Sequence, residues 1–354
     1  MSLSVSPVRA PRRSSFGRRL AVFALRRILI IPLSLLIVVT VAFGLVALMP
    51  GDPAAEILGQ FATPAETERI RRELGLDKPL PVRYVDYIAA VARGDLGTSF
   101  FSGRGIAAEI ATYLPNTIEL IVLSLGLATG LGLLVGTIGA YFRGQLPDRI
   151  GRVLITAFQS IPDFLLGLVL IFILFYLWRV VPPPVGRLSL VDARPVPITN
   201  FLLVDTLLRG DIALFASALK HAFLPVLTLG LVYSAYLAKT ARATMAASLT
   251  SAQVEFARAC GLPERQVLWY AFTTAMPPIL TYGAILFGAL VGGAAIVEIV
   301  FSWQGLGSWA LTAILKRDVP AIQGFIIVAG LATLLVYLVL DLVVMVIDPR
   351  IRVD

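Results

Sequence analysis

The sequence has 354 residues, 58% of them hydrophobic and only 15% charged, whereas a water-facing surface needs about a quarter of its residues charged. A soluble globular chain is excluded, and lipid is the solvent this composition suits. One cysteine (Cys260) and one histidine (His221) rule out disulfide frameworks, CxxC redox pairs and histidine or cysteine metal clusters by count.

The first 27 residues carry Arg9, Arg12, Arg13, Arg18, Arg19, Arg26 and Arg27, part of a net charge of +8. A basic tail beside a membrane span normally stays in the cytoplasm. Only Phe16 and Phe23 lie among those arginines, too few stacking rings for a nucleic-acid partner. The apolar run at 28–49 is longer than the core of a signal peptide, about 7 to 15 residues, and reads as a retained span. Residues 50–116 mix proline, glycine and both charges, as a small folded subdomain outside the cytoplasm would. Inside it, 64–74 predicts a helix, with Thr63 as N-cap, Pro64 in the first position and Gly75 just past the end.

Five further apolar runs, at 117–141, 153–181, 223–247, 276–297 and 321–347, are each long enough to cross about 30 Å of hydrocarbon at about 1.5 Å per residue. The predicted fold is an all-α membrane protein with six transmembrane helices. Arg143, Arg149 and Arg152 share one short loop, Lys239, Arg242, Arg258 and Arg265 flank a second, and Arg350 and Arg352 close the chain. With the arginine tail inside, these loops and both termini are cytoplasmic. Residues 117–348 then form a five-helix core with a cytoplasmic loop at 250–270, and 349–354 a cytoplasmic end. Left outside are 50–116, the proline-led 182–220, and 301–320, whose Trp303 and Trp309 suit a membrane interface. Gly132 with Gly136, and Gly288 with Gly292, have the spacing that lets helices approach closely, within the subunit or against a second one.

Catalytic chemistry is missing from this pattern. A phosphate-cradling loop needs a Gly-Lys pair, and none of Lys78, Lys220, Lys239 or Lys316 follows a glycine. His221 lacks a nucleophile-elbow serine or cysteine and reads as an interfacial residue ahead of a span. No catalytic residue, metal site or cofactor is expected. A secondary transporter would need a charge relay near the bilayer midplane, but Glu119, Asp163, Glu298 and Asp341 fall near span ends, where water or a neighbour can satisfy them. Of these, Asp163 beside Pro162, together with Glu298, remain candidates for a polar pathway.

The loop at 250–270 carries the most information. Thr250 and Gln253 have capping-box spacing, so a helix is expected from there to Cys260. Gly261 is a natural stop, and Pro263 and Glu264 suit the first turn of a following helix. Glu255 and Arg258 would lie side by side, with Val254, Ala257 and Gly261 as a small apolar surface opposite. Such a bent hairpin suits docking into a groove.

At this loop the chain resembles the integral permeases of binding-protein-dependent ABC importers, whose motif reads Glu-Ala-Ala, three residues, Gly; here stand Glu255-Phe256-Ala257 and Gly261. From about residue 27 to 352 it resembles the dipeptide, oligopeptide and nickel permease branch. The matching stretches are 49–53, Gly94-Asp95-Leu96-Gly97 with Thr98 and Ser99, Ile161-Pro162 with Phe164 and Gly167, and Glu298 and Phe301 with Gly305-Leu306-Gly307. Arg317-Asp318, Pro320 and 348–350 complete the set. The chain departs from the branch around Cys260, Tyr270, Thr273 and Thr274, and in its long arginine tail.

The resemblance implies a multi-pass permease of the bacterial inner membrane that forms half of a translocation pathway for di- or oligopeptides. Nickel chelates or other small solutes are the alternative cargo, and a stand-alone secondary transporter is the rival class. It further implies as partners a second homologous permease, two ATPase subunits (or one fused ATPase) that hold ATP and Mg, and an extracytoplasmic solute-binding protein. Coupling would fall to Gln253, Glu255, Phe256, Ala257, Arg258, Ala259, Gly261, Leu262, Pro263 and Glu264.

Overall fold

The computed structural model describes residues 13–48, 54, 63–73, 75–193 and 195–347. Arg9, Arg12, the 49–53 motif, Leu74 and 348–354 lie outside the described residues. No strand is present among them; Thr98 and Gly105 form an isolated bridge.

Helix α1 (Arg13–Ala47) contains the first apolar run. Helix α2 (Pro64–Glu73) is closed as its sequence predicts. At its start the Thr63 amide donates to Glu66 Oε2 at 2.9 Å while the Glu66 amide donates to Thr63 Oγ1 at 3.3 Å, a reciprocal capping box. At its end Gly75 takes φ +64, and the amides of Gly75 and Leu76 reach back to the carbonyls of Arg72 and Arg71. Helix α3 (Leu80–Ala92) turns Tyr84 and Tyr87 onto Phe43 of α1, with ring centroids 5.3 and 5.6 Å away.

The body is built on α4 (Ile106–Tyr141) and α8 (Ile212–Leu249). A Cβ on Gly132 would lie 2.7 Å from Leu237 Cβ, and one on Gly136 2.6 Å from Ala241 Cβ. The two registers rise together, so the helices run parallel, and everything between them must carry the chain back to the starting end. This return is made by α5 (Leu146–Ser160), α6 (Asp163–Leu170) and a π-wound continuation, Ile171–Leu177.

The return is where the structure departs from the expected 153–181 span. It is bent by 102° between Ser160 and Asp163, because Pro162 offers no amide to the helix and forces Ile161 out of helical geometry, to φ −94, ψ 124. Among the described residues, five helices are long and apolar enough to cross a membrane, six if this bent pair is one span. They are α1, α4, α8, α10 (Glu264–Gly293) and α13 (Val319–Ile347). Helices α4 and α8 also begin well ahead of the apolar runs at 117 and 223, since polar residues just before those runs, such as Glu109 and Lys220, interrupt the hydropathy signal. His221 accordingly lies inside α8, its Nδ1 2.8 Å from the Ser217 carbonyl.

Shorter helices fill the ends: α7 (Leu202–Leu208), α9 (Ala252–Ala259), α11 (Ala295–Val300) and α12 (Leu306–Leu315). The two glycine pairs serve different ends. Gly132 and Gly136 are used up inside the subunit against α8, whereas Gly288 faces Thr333 of α13 and Gly292 has nothing within 4 Å.

Candidate functional site

The hairpin at 250–264 forms, with two corrections to its expected detail. No capping box closes its start: the Thr250 hydroxyl donates back to the carbonyls of Ala246 and Ala247, both at 3.2 Å, finishing α8, and Ser251 takes the N-cap position of α9. Nor is the apolar side of α9 free. Val254 and Ala257 are buried against Ala140, Leu249 and Val267, at the ends of α4, α8 and α10. The outward face is Gln253, Glu255, Phe256, Arg258 and Ala259, with Phe256 72% exposed.

Gly261 stops α9 at φ +74, a left-handed conformation that costs any side chain about 1 kcal/mol or more. There the amides of Gly261 and Leu262 close on the carbonyls of Arg258 (2.9 Å) and Ala257 (3.2 Å). Pro263 is the N-cap of α10 and Glu264 its first residue. Arg258 pairs with Glu264 at 3.0 Å and not with Glu255. This carboxylate holds the guanidinium pKa above its ordinary value. Both partners are about half exposed, so the pair contributes little to stability.

Behind the hairpin, Asp148 of α5, 1% exposed, receives Arg242 of α8 through Nε (2.6 Å) and Nη2 (3.0 Å), and the Gly144 amide at 3.0 Å. This buried bidentate pair links the bent helix to the helix that carries α9. The sequence reading assigned Arg242 to loop charge and missed Asp148; a lone aspartate among Arg143, Arg149 and Arg152 was the available signal.

At the opposite end, Glu298 of α11 is fully buried. It accepts from Thr117 Oγ1 at 2.5 Å and from the Ser308 amide at 2.7 Å, and the Thr117 hydroxyl in turn accepts from the Leu306 amide at 2.7 Å. Gly305 makes room for this junction, since a Cβ there would lie 2.2 Å from Glu298 Oε1. Glu298 thus clamps α4, α11 and α12 together. Asp163 is half-buried at the first position of α6, directly after the break, and accepts from the Phe164 amide at 2.8 Å. A carboxylate there meets the positive end of the helix.

Glu119 and further carboxylates find protein partners too. Glu119 is paired with Arg187 and accepts from the Leu203 amide at 2.6 Å. Arg187 also donates to Asn116 and lies over the Trp303 ring. Trp303, expected at the membrane interface, is buried instead and donates Nε1 to the Asn116 carbonyl at 2.8 Å. Trp309 is half-buried and donates to Glu109 at 3.1 Å. Asp318 accepts from Ser99 and from the Phe100 amide at 3.1 Å, tying the loop before α4 to the start of α13. Asp205 of α7 holds the end of the preceding loop, accepting from the Thr199 hydroxyl (2.6 Å) and the amides of Ile198 and Thr199. Burial raises its pKa, but these hydrogen bonds outweigh it and hold the carboxyl below its ordinary value. Among the described residues no group of three or more His, Cys, Asp or Glu is placed to hold a metal.

The described residues form a helical bundle long and apolar enough for several membrane crossings, with a bent hairpin packed on one end. The chain belongs to the binding-protein-dependent transport system inner membrane components, whose family description matches residues 113–353, with the matching N-terminal family at 20–121. It is 39% identical over 315 residues to the probable D,D-dipeptide transport system permease protein DdpB of Escherichia coli strain K12, covering 89% of this chain and 92% of that one. With the di/tripeptide transport system permease protein DppB of Pseudomonas aeruginosa strain UCBPP-PA14 it shares 38% over 319 residues, 89% and 94% of the two chains. With the dipeptide transport system permease protein DppB of E. coli strain K12 the figures are 35% over 337 residues, 93% and 98%. The chain is a permease subunit of a binding-protein-dependent importer and a multi-pass inner-membrane protein. It is not an enzyme, ATP hydrolysis in such importers lying on separate ATPase subunits.

Proposed function

We propose that this permease imports di- or oligopeptides, forms the pathway together with a second homologous permease, and is driven through α9 by ATPase subunits on the cytoplasmic side. An extracytoplasmic solute-binding protein delivers the cargo. On this reading both termini are cytoplasmic, 50–116 is the outer subdomain, and Asp163, at the break in the bent span, stands toward the pathway, while Glu298, buried in its junction, holds the helices beside it. The names of the three relatives given above, a D,D-dipeptide, a di/tripeptide and a dipeptide permease, support the cargo.

One observation carries the coupling role: α9 has one face locked into the bundle by Val254 and Ala257 and presents Phe256 outward. A helix so seated moves only if the ends of α4, α8 and α10 move with it, and two sites communicate through an element with two arrangements that both bias. The exposed Phe256 is the kind of aromatic anchor whose truncation costs about 2 kcal/mol or more at an interface.

The test is uptake of a labelled dipeptide by cells carrying the importer with Phe256→Ala or Gly261→Val, with membrane insertion checked by fractionation. Both variants are expected to insert normally and lose uptake, and Phe256→Ala to weaken ATPase association about thirtyfold. Normal uptake by both refutes the coupling role of the hairpin. Uptake of a labelled nickel chelate in place of the dipeptide refutes the cargo.

A further inference from the structure

Where α4 ends and α10 begins, the bundle leaves an open groove of about 910 Å³. Its walls are Ile138, Tyr141 and Phe142 on one side and Arg265, Trp269 and Phe272 on the other. Trp269 is 63% exposed and stacks on Phe272 at 5.8 Å; Tyr141 and Phe142 meet edge to face at 4.9 Å. Both walls lie at the terminal turns of membrane-spanning helices, Ile106–Tyr141 and Glu264–Gly293, so the groove opens where hydrocarbon gives way to headgroups.

The charge at its mouth is one-sided. Glu264, the nearest carboxylate in sequence, is taken by Arg258, and Arg265 makes no ion pair or hydrogen bond among the described residues. Arg143 follows Phe142 in the adjoining turn and adds a second positive charge. Apart from Thr137 and Gln266, the rest of the lining is aromatic and aliphatic.

From this juxtaposition we infer that the groove is a binding site for an anionic phospholipid, the phosphate on Arg265 and an acyl chain along Ile138, Trp269 and Phe272. A guanidinium matches phosphate oxygens in two-point geometry. The rings flanking it prefer the headgroup level, where one edge is apolar and the other wet. A basic pocket between helix ends is the arrangement that selects anionic over zwitterionic headgroups. The bound lipid would bridge α4 and α10, the helices on which α9 rests, and so tie the hairpin's seat to the composition of the membrane.

The experiment is tryptophan quenching by brominated lipid in the whole importer, reconstituted in phosphatidylcholine nanodiscs. Dibromo-phosphatidylglycerol or dibromo-phosphatidylcholine is added at equal mole fraction, and the share due to Trp269 is found by difference from Trp269→Phe. Phosphatidylglycerol is expected to quench this share more strongly. The preference should fall roughly fivefold in Arg265→Gln, the contribution of one interfacial cation, and persist in Arg265→Lys, which also controls for folding. Equal quenching by the two lipids, or a preference that survives Arg265→Gln, overturns the assignment. No quenching by either lipid means that a protein surface covers the groove, and overturns it as well.

Discussion

The parallel pairing of α4 with α8 yields a quantitative prediction, because two glycines of α4, Gly136 and Gly130, meet such different surroundings. A Cβ on Gly136 would lie 2.6 Å from Ala241 Cβ, 2.8 Å from the Ala238 carbonyl oxygen and 2.9 Å from the Arg242 amide nitrogen. Carbon atoms rest about 3.5 to 4.0 Å apart, and two of these neighbours are backbone, so no side chain can swing aside and the helices must separate. Overpacking of this kind costs about 1–3 kcal/mol. Gly130, on the same helix, has nothing within 4 Å, so alanine there brings only its better helix propensity, about 0.5–1 kcal/mol of stabilisation. That propensity gain is common to both sites. The difference in stability between Gly136→Ala and Gly130→Ala therefore isolates the clash and should be about 1–3 kcal/mol against Gly136→Ala. Equilibrium unfolding of the purified protein in mixed micelles, followed by tryptophan fluorescence over increasing dodecyl sulfate, measures it. Coincident transitions for the two variants would show that α4 and α8 do not pack in this register.

At the Glu298 junction, Gly305→Ala should be more disruptive than Gly136→Ala in the same assay, since its Cβ would overlap Glu298 and Thr117. Glu298→Gln should cost about 1–3 kcal/mol, because Thr117 and the Ser308 amide donate to different oxygens and one of them would face an NH2 instead. Asp148→Asn should destabilise by roughly 3 kcal/mol by leaving Arg242 without its buried counter-charge, and Asp148→Asn with Arg242→Met should recover part of that loss. For Asp205, whose pKa is depressed in the fold, the contribution to loop order is complete above the ordinary value of 3.8 and is lost as pH falls through the lower folded value. Hydrogen exchange at the Thr199 amide should accordingly show protection at neutral pH that disappears in acid, and an Asp205→Asn variant should lack that acid step.

Local chemistry was enough to locate five of the apolar spans, the α2 caps and the turn at Gly261. Hydropathy, proline and glycine act over a few residues, and a window of sequence contains everything they depend on. The hairpin was legible for the same reason: Gly261 and Pro263 dictate a stop and a restart whatever surrounds them. Its detail was not, because Thr250 had two sets of carbonyls and amides to choose from, and the end of α8 won.

Only the tertiary structure decided what the polar residues do. Asp148 finds Arg242 across 94 positions and Glu298 finds Thr117 across 181, distances over which sequence spacing carries no geometric information. Trp303 likewise looked like an interfacial residue and became a buried donor, since its partner, the Asn116 carbonyl, comes from another helix. The 102° bend at Ile161–Pro162 falls between these cases. Proline announces that a helix must break, but the direction of the break is set by what α8 and α11 leave for α6 to pack against.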